Sequence, residues 1–379
     1  MTGDGRLVQA LAWIARLPLC GDPELAGLIG VDGHDARRLI HELARRGWVE
    51  TVEPGSPELE LRRLAFVRED AIPALAAALC LDPAEIAGAL PVRLRDTLER
   101  ITRVEITVGV NRVLAGLAAD VQRSGLAELA DARSLPLALP PPERWWLPLV
   151  EGYGCLRAGP LHAPFLLAWD RAAAPNLYRR RRVAAWFAAS AAVARHWGAE
   201  GLPPVLVVCP STRVLRVWEE ALSKQYDTEG AQLEVLLATR EQLRSQGPGA
   251  ATWRSPGRTQ ASPLVELIGW GQVPPVAATR LAEPFEQRPP PHRRGASLRE
   301  RALAGATAHD GGPLWHRLGV LALATGPAEK ALIEWVARHP LLSAADLAAL
   351  LDTSEALIKR RLEWLTRCGA IRSAAATCD

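Results

Sequence analysis

The chain has 379 residues, of which 49% are hydrophobic, enough for two or three domains with real cores. A net charge of +3 is only mildly basic, so a nucleic-acid role has to come from local pattern rather than bulk charge. No run of about 18 apolar residues marks a membrane span, no signal peptide is visible, and none of the six cysteines (Cys20, Cys80, Cys155, Cys209, Cys368 and Cys378) sits in a Cys-x-x-Cys pair. The expectation is a cytoplasmic chain with no metal, no cofactor and no disulfide framework, its thiols buried or incidental.

Leu7, Ala10, Leu11 and Ile14 recur at helical spacing and predict a first helix ending near Pro18. "DPELAGLIGV" predicts a short second helix with Asp22 as N-cap, Pro23 in the first turn and Leu25, Leu28 and Ile29 inward. "VDGHDARRLIHELARRGW" predicts a third, with Ala36, Leu39, Ile40 and Leu43 on one stripe and Gly47 as a left-handed stop. The opposite face carries His34, Arg37, Arg38, His41 and Arg45, the outer face that a major-groove reader needs. Taken alone, such a face more often belongs to a solvated surface helix. The order decides: "WVETV", "EPGSP" and "ELELRRLAFV" follow, a hairpin in the place of a wing. Residues 1–70 therefore read as a winged helix-turn-helix. Glu50, Glu53, Glu58 and Glu60 argue against close wing contact with phosphates, with Arg62 and Arg63 as compensation.

Residues 71–134 read as a helical connector. Leu94, Leu98 and Ile101 begin a long helix, and Val110, Val113, Leu114 and Leu117 continue its apolar face. "LPLALPPPE" at 135–143 is a linker by its prolines. Residues 144–256 turn α/β. "WWLPLVEGYGCLR" and "APFLLAW" have strand length, "NLYRRRRVAAWFAASAAVARHWG" is helical, and "PPVLVVCP" is a buried strand. "STRVLRVWEEALSKQ" is a helix capped by Ser211, and "LEVLLATREQL" a strand leading into a helix. The run Arg179 to Arg182 resembles a phosphate patch, but four consecutive helical positions point all round the helix. One or two of them are expected to pair with Asp170 or Glu219. Trp145, Trp146, Trp186, Trp197, Trp218 and Trp253 are expected to fill cores rather than stack bases.

Residues 272–326, rich in Pro, Arg, Gly and Ala, read as a flexible linker in which Arg288, Arg293, Arg294 and Arg299 offer weak attraction to DNA. Beyond it, "IEWVARHPLLSAADLAALLDTSEALIKRRLEWLTRCGAI" can be laid without gaps on "LAWIARLPLCGDPELAGLIGVDGHDARRLIHELARRGWV". Trp13 falls on Trp335, Pro18 on Pro340, Leu25 on Leu347, Arg38 on Arg360, Leu43 on Leu365 and Gly47 on Gly369. This repeat predicts a second helix-turn-helix over 327–379, its third helix capped by Asp352, Thr353 or Ser354 and exposing Lys359, Arg360 and Arg367. The residues after Ile371 are too few for a hairpin, so a wingless copy is expected. It is either a second DNA-contacting head or a dimerisation and packing unit.

Three further pieces carry a family resemblance: "PFLLAWDRAAAPNLYRRRRVAAWF", "PPVLVVCPSTRVLRVWEEAL" and "LEVLLATREQLRSQGPGAATWRSP". Together with the winged helix they make residues 5 to 256 resemble the replication-relaxation family of bacterial plasmid and mobile-element proteins. The resemblance implies a role in plasmid replication or DNA relaxation, and an α/β part that looks like a restriction-endonuclease-type core. An active core of that kind needs carboxylates at two strand positions to hold a divalent metal, plus a nearby basic residue. Where a Pro-Asp-Gly would stand, only Glu151 is near. The second position reads Ala168-Trp169-Asp170, one acid short, and Arg182 takes the basic place. If the chain were a nuclease, Asp170, Glu151 and Arg182 would carry it. A degenerate core without cleavage is the expectation, with Asp170 a structural partner of the arginines.

No phosphate-binding Gly-x-x-x-x-Gly-Lys-Ser/Thr loop is present. Tyr153, Tyr178 and Tyr226 lack the histidine cluster that a tyrosine nuclease would need. The fold class expected is therefore mixed α+β: N-terminal winged helix-turn-helix, helical connector, small degenerate restriction-endonuclease-like domain and C-terminal wingless helix-turn-helix. The function expected is non-enzymatic DNA binding in plasmid or mobile-element replication, relaxation or their regulation. Its partner would be double-stranded DNA, with replication or mobilisation proteins or a second copy beside it and no membrane. A metal-dependent nuclease and a winged-helix transcription regulator are the competing readings.

Overall fold

The computed structural model describes residues 3–53, 63–134, 150–171, 174, 176–197, 202–229, 233–271, 327–367, 370 and 371. The stretch read above as part of a wing, with Glu58, Glu60 and Arg62, the stretch 135–143 read as a linker with the adjoining Trp145 and Trp146, and the segment 272–326 lie outside them, as does the side chain of Trp197. The chain divides into two compact units. One comprises Met1–Thr51, Leu64–Thr97 and Ile106–Arg294; the other comprises Val52–Arg63, Leu98–Glu105 and Gly295–Asp379.

The first unit opens on α1 (Gly3–Arg16), α2 (Asp22–Ile29) and α3 (Gly33–Arg45). The apolar stripes read from the sequence are the ones buried: Leu7, Ala10, Leu11 and Ile14 on α1, Leu25 and Leu28 on α2, and Ala36, Ile40 and Leu43 on α3. The cap of α2 is a correction. It is Gly21, not Asp22, and the Gly21 amide donates to Glu24 Oε2 at 3.1 Å. Asp22 is left free to accept from Arg37 on α3. α3 itself is capped by Asp32, which accepts from the Asp35 amide at 2.8 Å, and it stops at Gly47 with φ +77°, a conformation that costs a side-chain-bearing residue more than glycine. The strands β1 (Val49–Val52) and β2 (Leu64–Val67) then pair. Cys20, between α1 and α2, exchanges backbone hydrogen bonds with Ala65 at 3.1 and 2.8 Å and so ties that connection to β2.

The connector is α4 (Ile72–Leu79), α5 (Pro83–Ala89), α6 (Leu94–Ile101) and α7 (Val104–Ser124). The single long helix expected from Leu94 onward is broken at Thr102 and Arg103. The Thr102 hydroxyl donates to the Glu99 carbonyl at 2.6 Å, competing with the helical ladder, and the Arg103 amide reaches back only to Arg100. A second correction follows α7: Glu128–Ser134, whose first residues read as helix, forms strand β3.

β3 belongs to a five-stranded sheet with β4 (Gly152–Ala158), β5 (Leu161–Trp169), β6 (Val205–Cys209) and β7 (Val235–Thr239), lying side by side in chain order. β3, β4 and β5 form an antiparallel meander. β5, β6 and β7 are parallel, joined through α8 (Asn176–Trp197) and α9 (Thr212–Glu229). β7 runs directly into α10 (Arg240–Gln246), and the short α11 (Leu264–Leu267) follows. The fold is thus mixed α and β, and no helix is long and apolar enough to cross a membrane among the described residues.

The period of two along each strand sorts the sheet's faces. Phe165, Leu167, Leu206, Val208, Leu236 and Ala238 face a core that is continuous with α7 and with the α1–α3 bundle. Leu166, Ala168, Val205, Val207, Val235 and Leu237 face α8 and α9, where Trp186 and Trp218 stack at 5.5 Å between ring centroids. Trp186, Trp218 and Trp253 are core residues, as expected of them from the sequence. α7 lies close against the end of β5, because Gly109 leaves no room for a Cβ against the Trp169 ring.

In the second unit, α12 (Pro327–Arg338), α13 (Ala344–Leu350) and α14 (Glu355–Arg367) close around Leu332, Leu347, Ala348, Ile358 and Leu365. In the repeat alignment these fall on Ala10, Leu25, Ala26, Ala36 and Leu43, residues packed in the core of the first copy. Of the caps considered for α14, Ser354 is used: its hydroxyl accepts from the Leu357 amide at 3.4 Å.

Candidate functional site

Two sites take shape in the first unit. On α3, His34, Arg37, Arg38, His41 and Arg45 are all exposed, opposite the buried stripe. The three arginines touch carboxylates: Arg37 with Asp22 at 2.8 Å, Arg38 with Asp35 at 3.4 Å and Arg45 with Glu42 at 2.7 Å. Their side chains are 75%, 73% and 66% exposed, so these are surface pairs of small energy that a phosphate or base edge can displace. Glu42 is the firmest of the acids. Hydrogen bonds from Arg45 and then Arg46, with their charges, hold its carboxyl down at about 2. It therefore stays ionised at neutral pH and holds Arg45 in an ion pair. On the hairpin, Glu50 accepts from Arg68 and Glu53 from Arg63 at 3.3 and 3.0 Å, which offsets these two carboxylates.

The second site lies where β5 ends. Asp170 is 2% exposed, and its carboxylate takes three donors: Arg179 Nε at 2.7 Å, Arg179 Nη2 at 3.2 Å and Trp218 Nε1 at 2.6 Å. Arg179 also donates to Asn176 Oδ1 and to the Arg171 carbonyl. Glu151, just before β4, takes Arg182 Nη2 at 2.5 Å and the Trp169 amide at 2.8 Å. The Arg182 guanidinium sits over the Trp186 ring at 5.4 Å. The arginine run thus splits by helical geometry: Arg179 and Arg182 are buried, Arg180 and Arg181 exposed. The pairing of Asp170 with the run is as the sequence reading expected. Glu219, the alternative partner, pairs with Arg254 at 3.0 Å.

These residues do not suit a divalent cation. Each carboxylate is already neutralised by a guanidinium, and the Asp170 oxygens are occupied by three donors. Among the described residues no group of three or more His, Cys, Asp or Glu side chains is placed to hold a metal ion. Nor is a nucleophile poised there. Burial pushes the Cys209 thiol well up, with Asp170 adding to it, and burial does the same to the Tyr153 phenol.

Sequence reasoning missed Arg240, which begins α10 and donates to the Asp170 carbonyl at 2.7 Å while lying 4.6 Å from the Trp169 ring centroid. It also missed Trp218 as the third donor to Asp170. Nothing in their local patterns announces these roles, which depend on strands β5, β6 and β7 ending side by side. In the second unit, Lys359 is exposed and pairs with Glu355 at 2.8 Å, and Arg360 is exposed; the Arg367 side chain lies outside the described residues.

Of the described cysteines, Cys20, Cys155 and Cys209 are buried and Cys80 is exposed. Burial raises the thiols of the first three, Cys155 to about 11. Iodoacetamide at neutral pH, read by mass spectrometry of peptides, is expected to label Cys80 in the native chain and to spare the other three until denaturant is added. Fast native labelling of Cys155 would contradict this packing.

Comparison of the chain with family models, with curated proteins and with solved structures returned no match.

Proposed function

We propose that this chain is a non-enzymatic DNA-binding protein in which α1–α3 with β1 and β2 act as a winged helix-turn-helix. In this reading it serves the replication or relaxation of a plasmid or mobile element, or the regulation of those events. The observation that carries the reading is the face of α3. Five of its side chains, all of them arginine or histidine, stand exposed on a helix whose other face is seated in the core. A helix held in this way can enter the major groove without deforming its scaffold. The tie between Cys20 and β2 fixes the hairpin beside the helices, where a wing would flank the groove.

The strand-end cluster supports the non-enzymatic half of the proposal, because its acids are committed to arginines. The α/β part then scaffolds the reader, and its partners are double-stranded DNA and the replication or mobilisation proteins that act there. Lys359 and Arg360 on α14 make the C-terminal three-helix unit a second contributor to DNA binding. Plasmid nicking in Mg²⁺ or Mn²⁺ that disappears in Asp170→Ala would contradict this reading in favour of a nuclease.

The direct test is fluorescence anisotropy with duplex DNA across a salt series, comparing the native chain with Arg37→Ala/Arg38→Ala. Tight, salt-dependent binding is expected. The double variant should bind more weakly by about 1–3 kcal/mol for each base that an arginine reads. Absence of binding at low salt would remove DNA as the partner.

A further inference from the structure

The strand-end cluster has an outer shell that its inner ion pairs do not explain. β5, antiparallel to β4 and parallel to β6, begins the parallel half of the sheet, so the carboxyl ends of β5, β6 and β7 lie side by side. At that edge Arg171 follows β5, Arg180 and Arg181 stand in the second turn of α8, Arg213 stands in the first turn of α9, and Arg240 follows β7. Arg171, Arg180, Arg181 and Arg213 are exposed and make no ion pair among the described residues. Arg240 is half-buried, stacked on Trp169 and held by the Asp170 carbonyl.

The inner acids cannot balance this shell. Asp170 and Glu151 are committed to Arg179 and Arg182. α8 and α9, of 22 and 18 residues, both begin at this edge, and neither has an acid in its first turn, so their dipoles add to the positive field. A place built like this repels divalent cations and attracts oxyanions.

We propose that the carboxyl edge of β5, β6 and β7 is a second, sequence-independent binding surface for phosphate oxyanions, and that these are the phosphodiesters of the DNA read by α3. This rests on the DNA-binding reading above. α3 would supply sequence preference, while the arginine edge would supply affinity through counterion release. The inner arginines, locked by their carboxylates, hold the outer ones in place rather than touching the phosphates.

The test is the slope of log affinity against log salt, measured for the full chain on duplex DNA. Arg180→Ala/Arg181→Ala/Arg213→Ala alters only exposed side chains, and an unchanged thermal melt would show that it folds. Each phosphate no longer neutralised should lower the slope by roughly 0.9, so a reduction of about two to three is expected, with sequence preference retained. Arg180→Lys/Arg181→Lys/Arg213→Lys should keep the native slope. If the alanine variant keeps the native slope while Arg37→Ala/Arg38→Ala weakens binding, the edge proposal is overturned and the α3 reading stands. If the native chain binds no DNA, both are overturned. ATP and inorganic phosphate, titrated at constant ionic strength, separate the two sources of phosphate. Saturable ATP binding that disappears in the alanine variant, with an unchanged DNA slope, would overturn the assignment to DNA.

Discussion

Asp170→Ala is expected to destabilise the chain by about 3–5 kcal/mol, because it strips the counter-charge from a guanidinium that is itself buried. Arg179 is 3% exposed and donates to Asp170 through two nitrogens, and Trp218 donates to the same carboxylate from α9. One carboxylate therefore ties the end of β5 to both helices on that face of the sheet. The effect should show as a lowered midpoint in urea, with near-unchanged slope, following the fluorescence of Trp186 and Trp218. Asp170→Ala/Arg179→Met removes the stranded charge together with its partner and should recover part of the stability. A single-variant effect below about 1 kcal/mol would mean that water reaches this site and that Asp170 is no keystone.

The second large effect is expected at Asp131. It is fully buried on β3 and shared between two arginines, Arg16 of α1 at 2.8 Å and Arg133 of β3 at 3.0 Å. Arg16 and Arg133 are 3% and 1% exposed. Asp131→Ala leaves two buried cations facing each other, so a destabilisation of about 3–5 kcal/mol is expected in the same denaturation experiment. The consequence reaches the proposed reader, because Arg16 is the C-terminal end of the helix against which α2 and α3 pack. Hydrogen exchange should show faster opening of α1 in Asp131→Asn than in the native chain, even where the global midpoint moves little. Unchanged protection of α1 would show that the apolar packing of Leu11, Ile14 and Leu17 holds it without the ion pair.

The same two clusters mark the limit of what could be read from the sequence. The helices α1–α3 were legible because their stripes follow the 3.6-residue period and their stops are chemical: Pro18 after α1 and Gly47 after α3. The strands β5, β6 and β7 were legible as short apolar runs. β3 was not, because its buried positions include Asp131 and Arg133, and charged residues look solvated until their partner Arg16, 115 residues away from Asp131, is known. The cap of α2 was misplaced by one residue because Gly21 uses its amide rather than a side chain. For the candidate sites, the α3 face followed from periodicity alone. The pairing of Arg179 with Asp170 was legible in kind. Arg182 with Glu151, and the place of Arg240, required the sheet order, which no local pattern encodes.

The functional proposal turns on α3 as a reader of base sequence. The measurement that meets this most directly is selection of duplexes from a random library by the native chain and by Arg37→Ala/Arg38→Ala, at matched salt. The native chain should enrich a short motif, with guanine favoured at the positions facing the arginines, since bidentate arginine hydrogen bonding to O6 and N7 is the common specific interaction in the major groove. The double variant should still retain DNA but enrich no motif. The same motif enriched by both proteins, or none by either, would contradict α3 as the reader.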